Sequence, residues 1–299
     1  MEKKVSIVLP TYNGEKSIKK AIESVLYQTY SNIELIIVND CSTDNTCEIL
    51  EYYQKKDSRV IVINNEVNKK LPASLNEGFS HASGYYYSWT SDDNIYHEDA
   101  IEVMVRELEK DSQYDLVYSD FNIVDLKGTL ITTLYKEEPE YLKYVNCVGA
   151  CFLYKKAIAD VVGGYNTDYF LAEDYEYWIR IYDQGKMKHI GKVLYDYSIH
   201  DSSLTATRQR DIRRKTYEVK QTYFNKLRDR CESQSDIDKF YWGMLSLLDD
   251  VDEKKRIRKK YYNDSMLFAI HDIKRNVSNS LKYPFILIRA GIKKIIKEN

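Results

Sequence analysis

The sequence predicts an α/β fold in which helices flank a mostly parallel sheet. Short apolar runs alternate along the chain with longer segments whose apolar side chains recur every three or four positions. The short runs are typical of buried strands, and the periodic segments are typical of helices that pack on one face. Because strands that alternate with helices form parallel sheets, this order predicts a doubly wound layer.

The predicted elements begin with a strand at residues 5–10, which Pro10 ends. Turn-forming residues follow at 11–14. The next helix has an apolar face made of Ile18, Ala21, Ile22, Val25 and Leu26. The later elements are a strand at 34–38, a helix with Ile49, Leu50 and Tyr53, a strand at 60–63, a helix at 71–82 and a strand at 85–90.

Two adjacent carboxylates, Asp92 and Asp93, directly follow the last of these strands. Like charges held this close repel each other, and a divalent cation removes that cost. Ligands of open α/β sheets bind at the carboxyl ends of the strands. The pair therefore predicts a metal site, and the alternative is a turn in which Asp93 or Asn94 caps the next helix.

Five motifs, in the expected order, resemble glycosyltransferase family 2. They are the segments 10–13 (PTYN), 38–44 (VNDCSTD), 92–93 (DD), 173–178 (EDYEYW) and 197–205 (YSIHDSSLT). The resemblance covers roughly residues 3–205. It implies a GT-A fold, a nucleotide-sugar donor and inversion of the anomeric centre, and the expected donor is a UDP-sugar.

Three residues depart from the family pattern. Cys41 and Lys70 stand where glycine is common, and Ser198 stands where arginine is frequent before the histidine. These differences bear on the donor sugar and the phosphate contacts, and they leave the reaction class unchanged.

The resemblance implies a role for each polar motif residue. Asp174 is the expected base for the acceptor hydroxyl, because a single displacement needs one carboxylate base. Asp93 is the expected direct metal ligand and His200 a further one, with Mn²⁺ or Mg²⁺ as the cation. The alternatives are a first-turn acid for Asp174 and an ordinary loop histidine for His200.

The nucleotide is expected at the ends of the first two strands and beside the carboxylate pair. Asp40 can accept the imide N–H of uracil, and Tyr12 can stack on a ring face. By resemblance, Pro10 and Thr11 belong to the same site, and Asp92 lies nearer the ribose. The alternatives are a helix cap for Asp40 and a core position for the Tyr12 ring.

The acceptor side is expected around Gly149, Ala150, Glu173 and Trp178. Small residues let a sugar approach the backbone closely, although ordinary strand and turn packing explains them equally well. Glu173 is the neighbour most easily confused with the base, and in the family the second acid of the motif usually has that role.

Charge divides the chain into two parts. Residues 1–207 carry a net charge of −12 and residues 208–299 a net charge of +10. We expect a GT-A catalytic domain over 1–207 and a basic helical extension over 208–299. The basic cluster at 254–260 and the apolar stretch at 285–297 favour an anionic membrane surface as a partner, and the alternative is a helical bundle packed on the catalytic domain.

Other features bound the location and the function class. The five cysteines form no C-x-x-C pair, which favours free thiols in a reducing cytosol. No signal peptide or spanning segment is expected, so the chain is expected in the cytoplasm, peripheral to the inner face of the plasma membrane. Its expected acceptor is a glycan or a lipid-linked saccharide of a bacterial surface polysaccharide. A homo-oligomer is compatible with the sequence.

Functions of other classes have less support. A nucleic-acid partner is not expected, because no reader motif occurs. A dehydrogenase would need a G-x-G-x-x-G turn after the first strand, which the chain lacks. The remaining alternatives are a non-catalytic sugar-nucleotide-binding module and a nucleotidyltransferase on a similar sheet.

Overall fold

The structure, a computed structural model, describes residues 2–201 and 203–275 of the chain. The chain divides into two compact units, Met1–Val219 and Lys220–Asn299. The predicted catalytic domain over 1–207 stays a prediction.

A nine-stranded sheet forms the centre of the first unit, in the order β3-β2-β1-β4-β8-β6-β9-β5, with β7 paired to β6. Strands β1–β4, β6 and β9 point the same way, and β5, β7 and β8 run antiparallel to their neighbours. The strands are β1 (Val5–Thr11), β2 (Ile33–Asn39), β3 (Val60–Asn64), β4 (Tyr86–Trp89), β5 (Ile95–Tyr96), β6 (Leu116–Val124), β7 (Leu130–Leu134), β8 (Phe152–Lys155) and β9 (Met187–Ser198). The predicted mostly parallel α/β sheet is confirmed.

Helices cover both faces of this sheet. Alternate residues of β1 face opposite ways, so Ile7 and Leu9 join the core that α1 covers, while Val8 contacts Gly78 of α3. The helices are α1 (Ile18–Leu26), α2 (Thr46–Lys56), α3 (Leu71–Ser80), α4 (Ala100–Lys110), α5 (Lys156–Val162), α6 (Glu173–Gln184), α7 (Leu204–Thr207) and α8 (Gln209–Thr222), with 3-10 helices at Pro139–Lys143 and Thr167–Tyr169.

The second unit is helical throughout its described part. It contains α9 (Phe224–Asp229), α10 (Gln234–Ser246), α11 (Val251–Asp264) and a helix at 266–275. Aromatic rings fill its core, where Tyr241 stacks on Tyr261 at 4.5 Å and meets Phe268 edge-on at 5.0 Å. Among the described helices of both units, none is long and apolar enough to cross a membrane. The apolar stretch at 285–297 lies outside the described residues.

Two local predictions are wrong. Strand β1 continues through Pro10 to Thr11, because its pairing with β4 stops at Val8 and leaves no ladder partner there for the missing N–H. No helix follows Asp92 and Asp93 directly: β5 comes next, and α4 begins only at Ala100. The helix-cap explanation of the carboxylate pair is therefore wrong.

Candidate active site

The ends of β1 and β4 bring the first polar residues together. The Thr11 hydroxyl donates a hydrogen bond to Oδ2 of Asp92. A Cβ atom on Gly14 would lie 2.5 Å from that oxygen and 2.5 Å from Thr11 Oγ1. Glycine at position 14 therefore allows the loop after β1 to close against the carboxylate.

The end of β9 brings His200 to the same carboxylate pair. Its Nε2 lies 2.9 Å from Oδ2 of Asp93, across 107 positions of sequence. Ser198 fixes this approach, since its N–H donates to Asn94 Oδ1 at 2.8 Å and its hydroxyl donates to the Asp93 carbonyl at 2.5 Å. The residue that replaces the family's arginine thus ties two loops of the site together.

Asp93 and His200 present one carboxylate and one imidazole. Among the described residues no group of three His, Cys, Asp or Glu side chains is arranged to hold a metal. Mg²⁺ and Mn²⁺ sites on phosphate substrates commonly use only one or two protein ligands, and substrate oxygens and water complete the shell. The donor set therefore fits a divalent cation that binds together with a diphosphate.

Asp40 is buried directly after β2 and anchors the loop before α3. Its carboxylate accepts hydrogen bonds from Asn65 Nδ2 at 2.8 Å, Lys69 N at 2.8 Å and Lys70 N at 2.9 Å. These hydrogen bonds fix the loop beside the position where the uracil base is predicted to bind. The uracil contact itself stays a prediction.

Cys41 and Lys70, which stand where the family commonly has glycine, keep a backbone conformation typical of glycine. Cys41 has a φ of 66° and Lys70 a φ of 69°. Residues other than glycine adopt a positive φ at a cost of roughly 1–3 kcal/mol. The loops after β2 and before α3 therefore retain the conformation for which the family commonly uses glycine.

Tyr12 extends from the loop after β1 with 51% of its surface exposed. The alternative of a core ring is therefore wrong. The ring is free to stack on a planar ligand.

Asp174 lies in the first turn of α6 with both carboxylate oxygens engaged. The Tyr175 N–H donates to Oδ1 and Asn146 Nδ2 donates to Oδ2, each at 2.7 Å. Glu173 is buried and accepts a hydrogen bond from the Leu171 N–H at 2.6 Å. The two acids thus point to different partners, and Asp174 is the more exposed of them.

Tyr197 lies near the end of β9, and the charges of two of these carboxylates act on its phenol. Burial raises the pKa of the phenol, the hydrogen bond with Thr205 opposes the rise, and the charges of Asp93 and Asp174 add to it.

Comparison with known proteins identifies the family of the chain. Residues 6–163 match the family model described as Glycosyl transferase family 2. The chain belongs to glycosyltransferase family 2.

The curated relatives include two chondroitin synthases. The chondroitin synthase of Escherichia coli is 28% identical over 263 residues, which cover 87% of this chain and 37% of that protein. The chondroitin synthase of Pasteurella multocida is 30% identical over 72% of this chain and 22% of that protein. The putative glycosyltransferase EpsE of Bacillus subtilis is 31% identical over 61% of this chain and 68% of that protein. This chain therefore spans well under half the length of either synthase.

Solved structures share the GT-A fold. S. aureus TarS 1-349 in complex with UDP-GlcNAc has a TM-score of 0.61 at 16% identity, over 82% of this chain and 80% of that one. The mannosyltransferase PcManGT of Pyrobaculum calidifontis, in complex with GDP-Man and Mn²⁺, has a TM-score of 0.58 at 14% identity, over 83% of this chain and 73% of that one. At these identities the likeness concerns the fold.

Burial raises the pKa values of three acids in this glycosyltransferase. It raises the pKa of Asp92 to about 6, where the Thr11 hydrogen bond opposes the rise and the Asp93 charge adds to it. Burial also raises the pKa of Glu173 to about 8, together with the charge of Asp174, and it raises the pKa of Asp174 itself. The hydrogen bonds from the Tyr175 N–H and from Asn146 oppose the rise at Asp174, whereas the charge of Asp174 adds to the rise at Glu173.

The residues predicted on the acceptor side separate into two groups. Gly149 has a φ of 72°, and a Cβ there would lie 2.6 Å from Phe121, so this turn requires glycine. Ala150 is half-buried beside it. Trp178 is fully buried and packs edge-on against Phe152 at 4.5 Å. Its ring therefore supports α6 from inside the core and has no surface to offer a sugar.

Sequence analysis missed Asn146 and Lys136, which both lie on the segment between β7 and β8. Asn146 orients Asp174, and Lys136 Nζ lies 3.4 Å from the Asn146 carbonyl. No family motif includes them. In the sequence, Asn146 is marked only as a polar residue shortly before Gly149. Its role can be recognised once the fold has brought it to Asp174 of α6.

Proposed function

We propose that this family 2 enzyme is an inverting transferase that moves a hexosyl or N-acetylhexosaminyl group from a UDP-sugar to a hydroxyl of a glycan or lipid-linked saccharide. The observation that carries the proposal is the contact between Asp93 and His200. The charges of Asp93 and Asp174, which both act on the Tyr197 phenol, support it. The UDP-GlcNAc complex of TarS, which shares the fold, supports a UDP-sugar as donor.

The acceptor hydroxyl gives its proton to Asp174 as its oxygen attacks the anomeric carbon. The bond between that carbon and the diphosphate oxygen breaks, and UDP leaves with the bonding electrons. Attack from the face opposite UDP inverts the anomeric centre in a single step, for which one base suffices. Asn146 and the Tyr175 N–H hold the carboxylate in one orientation during this step.

Asp93 and His200 would hold Mn²⁺ or Mg²⁺ together with the diphosphate. A cation there neutralises the charge that develops on the departing UDP. Asp92, oriented by Thr11, would face the ribose, and Asp40 would accept the uracil imide. The exposed ring of Tyr12 and the adjacent Pro10 would border the base.

The second unit supports binding to an anionic membrane that carries the acceptor. The helix at 266–275 exposes an apolar stripe made of Met266, Leu267, Ile270 and Ile273. Lys274 and Arg275 are exposed on the same helix, and α11 exposes Lys259 and Lys260. An apolar face beside basic side chains is typical of helices that lie on a membrane surface, where each basic residue contributes about 1 kcal/mol.

A thermal-shift screen of nucleotide sugars identifies the donor. A ligand at 100 times its Kd stabilises the folded state by roughly 2.7 kcal/mol, which corresponds to a Tm rise of roughly 5–10 °C for a unit of this size. We expect UDP-sugars to raise Tm with Mn²⁺ present and GDP- or CMP-sugars to have little effect. No shift with any nucleotide sugar would contradict the proposal.

Product analysis then separates the reaction classes. A glycosyltransferase releases UDP, faster with an acceptor present and slowly by hydrolysis without one. A binding module releases nothing, and a nucleotidyltransferase that makes the nucleotide sugar releases pyrophosphate from a nucleoside triphosphate.

A further inference from the structure

Lys136 is a half-buried lysine on the segment between β7 and β8. Its Nζ donates to the main-chain carbonyl of Asn146 at 3.4 Å and lies 5.5 Å from the centre of the Phe121 ring. Throughout the described residues, no carboxylate lies within ion-pair distance of this ammonium. Burying an unpaired charge is costly, so its position calls for a partner of opposite charge.

The segment that carries Lys136 is fixed before any ligand arrives. The Lys136 N–H donates to Asp120 Oδ1 at 2.7 Å, and His189 Nε2 lies 2.8 Å from the same oxygen. The Tyr118 hydroxyl donates to the carbonyl of Glu137 at 2.6 Å. A recognition group held in place in this way loses little conformational entropy when it binds a ligand.

Lys136 is close to the proposed base without being paired to it. Asn146 touches both residues, through its carbonyl to Lys136 and through Nδ2 to Asp174. Burial lowers the pKa of Lys136, and the Asp174 charge is among those that oppose the shift. Asn146 Oδ1 is also buried without a hydrogen-bond partner. Two under-satisfied polar side chains thus lie together near Asp174.

We propose that Lys136 binds an anionic group of the acceptor, either the carboxylate of a uronic acid residue or a phosphate. Its place next to Asp174 as an acceptor subsite rests on the proposed function. Charge-assisted hydrogen bonds are about twice as strong as neutral ones, so the enzyme would select acceptors that carry a negative charge near the reacting hydroxyl.

The anion site is tested without any transfer activity. Limiting acetic anhydride labels lysines of the intact protein with UDP and Mn²⁺ present, and peptide mass spectrometry reads the rate at each lysine. We expect glucuronate or glucose 6-phosphate to slow the labelling of Lys136 at least threefold with saturation, while glucose does not. Lys127, exposed in the turn between β6 and β7, is the control and should be unaffected.

The two anions distinguish a uronic acid carboxylate from a phosphate as the group that Lys136 binds. Protection by glucuronate alone assigns a uronic acid, and protection by glucose 6-phosphate alone assigns a phosphate. Protection by neither anion, or equal protection by glucose, would overturn the proposal. Because this readout needs no catalysis, it stands even if the protein transfers no sugar.

Transfer kinetics test the place of the subsite. We expect Lys136→Met to lower kcat/KM for a uronide or phosphorylated acceptor about tenfold, with transfer to the neutral glycoside and hydrolysis of the donor within twofold of wild type. Lys136→Arg should restore most of the loss, and Lys127→Met should change nothing. An equal fall in kcat/KM with charged and with neutral acceptors would overturn the subsite. If neither the wild-type protein nor any variant transfers sugar, the proposed function is refuted instead.

Discussion

Replacing Asp174 by asparagine tests the base with little change of shape. A general base contributes roughly 10²–10⁴ to the rate, so we expect kcat to fall by that factor. The affinity for UDP should stay within about threefold, because the metal and nucleotide contacts proposed here use other side chains. UDP release from the identified donor measures the rate, and calorimetry measures the affinity.

The hydrogen bonds around Asp174 predict that this variant folds. One carboxylate oxygen becomes an NH₂ group, which would meet the donor Nδ2 of Asn146. Because Asn146 Oδ1 has no partner, a half-turn of the Asn146 amide presents an acceptor to the new donor. Charged hydrogen bonds worth roughly 1.5–3 kcal/mol become neutral ones worth about 1 kcal/mol, and the cost of burying a charge disappears as well. We therefore expect a Tm within about 5 °C of wild type.

Glu173→Gln is the matched control. With its pKa raised to about 8, Glu173 is largely protonated at pH 7, and glutamine imitates that neutral form. We expect a rate within about fivefold of wild type. A near wild-type rate for Asp174→Asn, or a loss of more than about 10² for Glu173→Gln, would refute this assignment of base and neighbour.

Three further predictions follow from the same geometry. The raised pKa of Glu173 should make the unfolding free energy fall as pH rises from about 4.5 to about 8, and chemical denaturation of Glu173→Gln should show a flatter profile over that range. Gly14→Ala should weaken UDP binding at least tenfold in calorimetry by displacing Asp92, whereas Gly191→Ala, which has open space, should not. Serine at the four positions of the apolar stripe should release the protein from anionic liposomes in a flotation assay, and so should deletion from residue 283 onward. Both variants should still bind UDP, and salt should weaken the attachment of the wild-type protein. A wild-type protein that stays in the soluble fraction at low salt would contradict the membrane proposal.

The sequence predicts the first four strands of the sheet because these strands and the helices between them carry clear periodicity. The apolar runs of β1, β2 and β3 and the face of α1 leave little ambiguity. Strands β5 to β8 were not predicted. The two residues of β5 carry no periodic signal, and the helix-cap alternative for Asp92 and Asp93 arose from that gap.

The site is only partly visible in the sequence because its geometry depends on long-range pairing. The motifs name Asp93 and His200, but their contact depends on the end of β9, which Ser198 fastens to Asn94. Lys136 and Asn146 belong to no motif; the fold brings Asn146 to Asp174 and Lys136 to Asn146. Trp178 is the opposite case. It belongs to a recognised motif and was predicted on the acceptor side, yet its ring is buried in the core.

Calorimetric titration of UDP, with Mn²⁺ and with EDTA, tests the central claim that the cleft holds a nucleotide diphosphate through a cation at Asp93 and His200. Without a cation, Asp92 and Asp93 would face the diphosphate unshielded. We predict binding at least tenfold tighter with Mn²⁺, with most of that gain lost in His200→Ala. Equal affinities with Mn²⁺ and with EDTA would contradict the account.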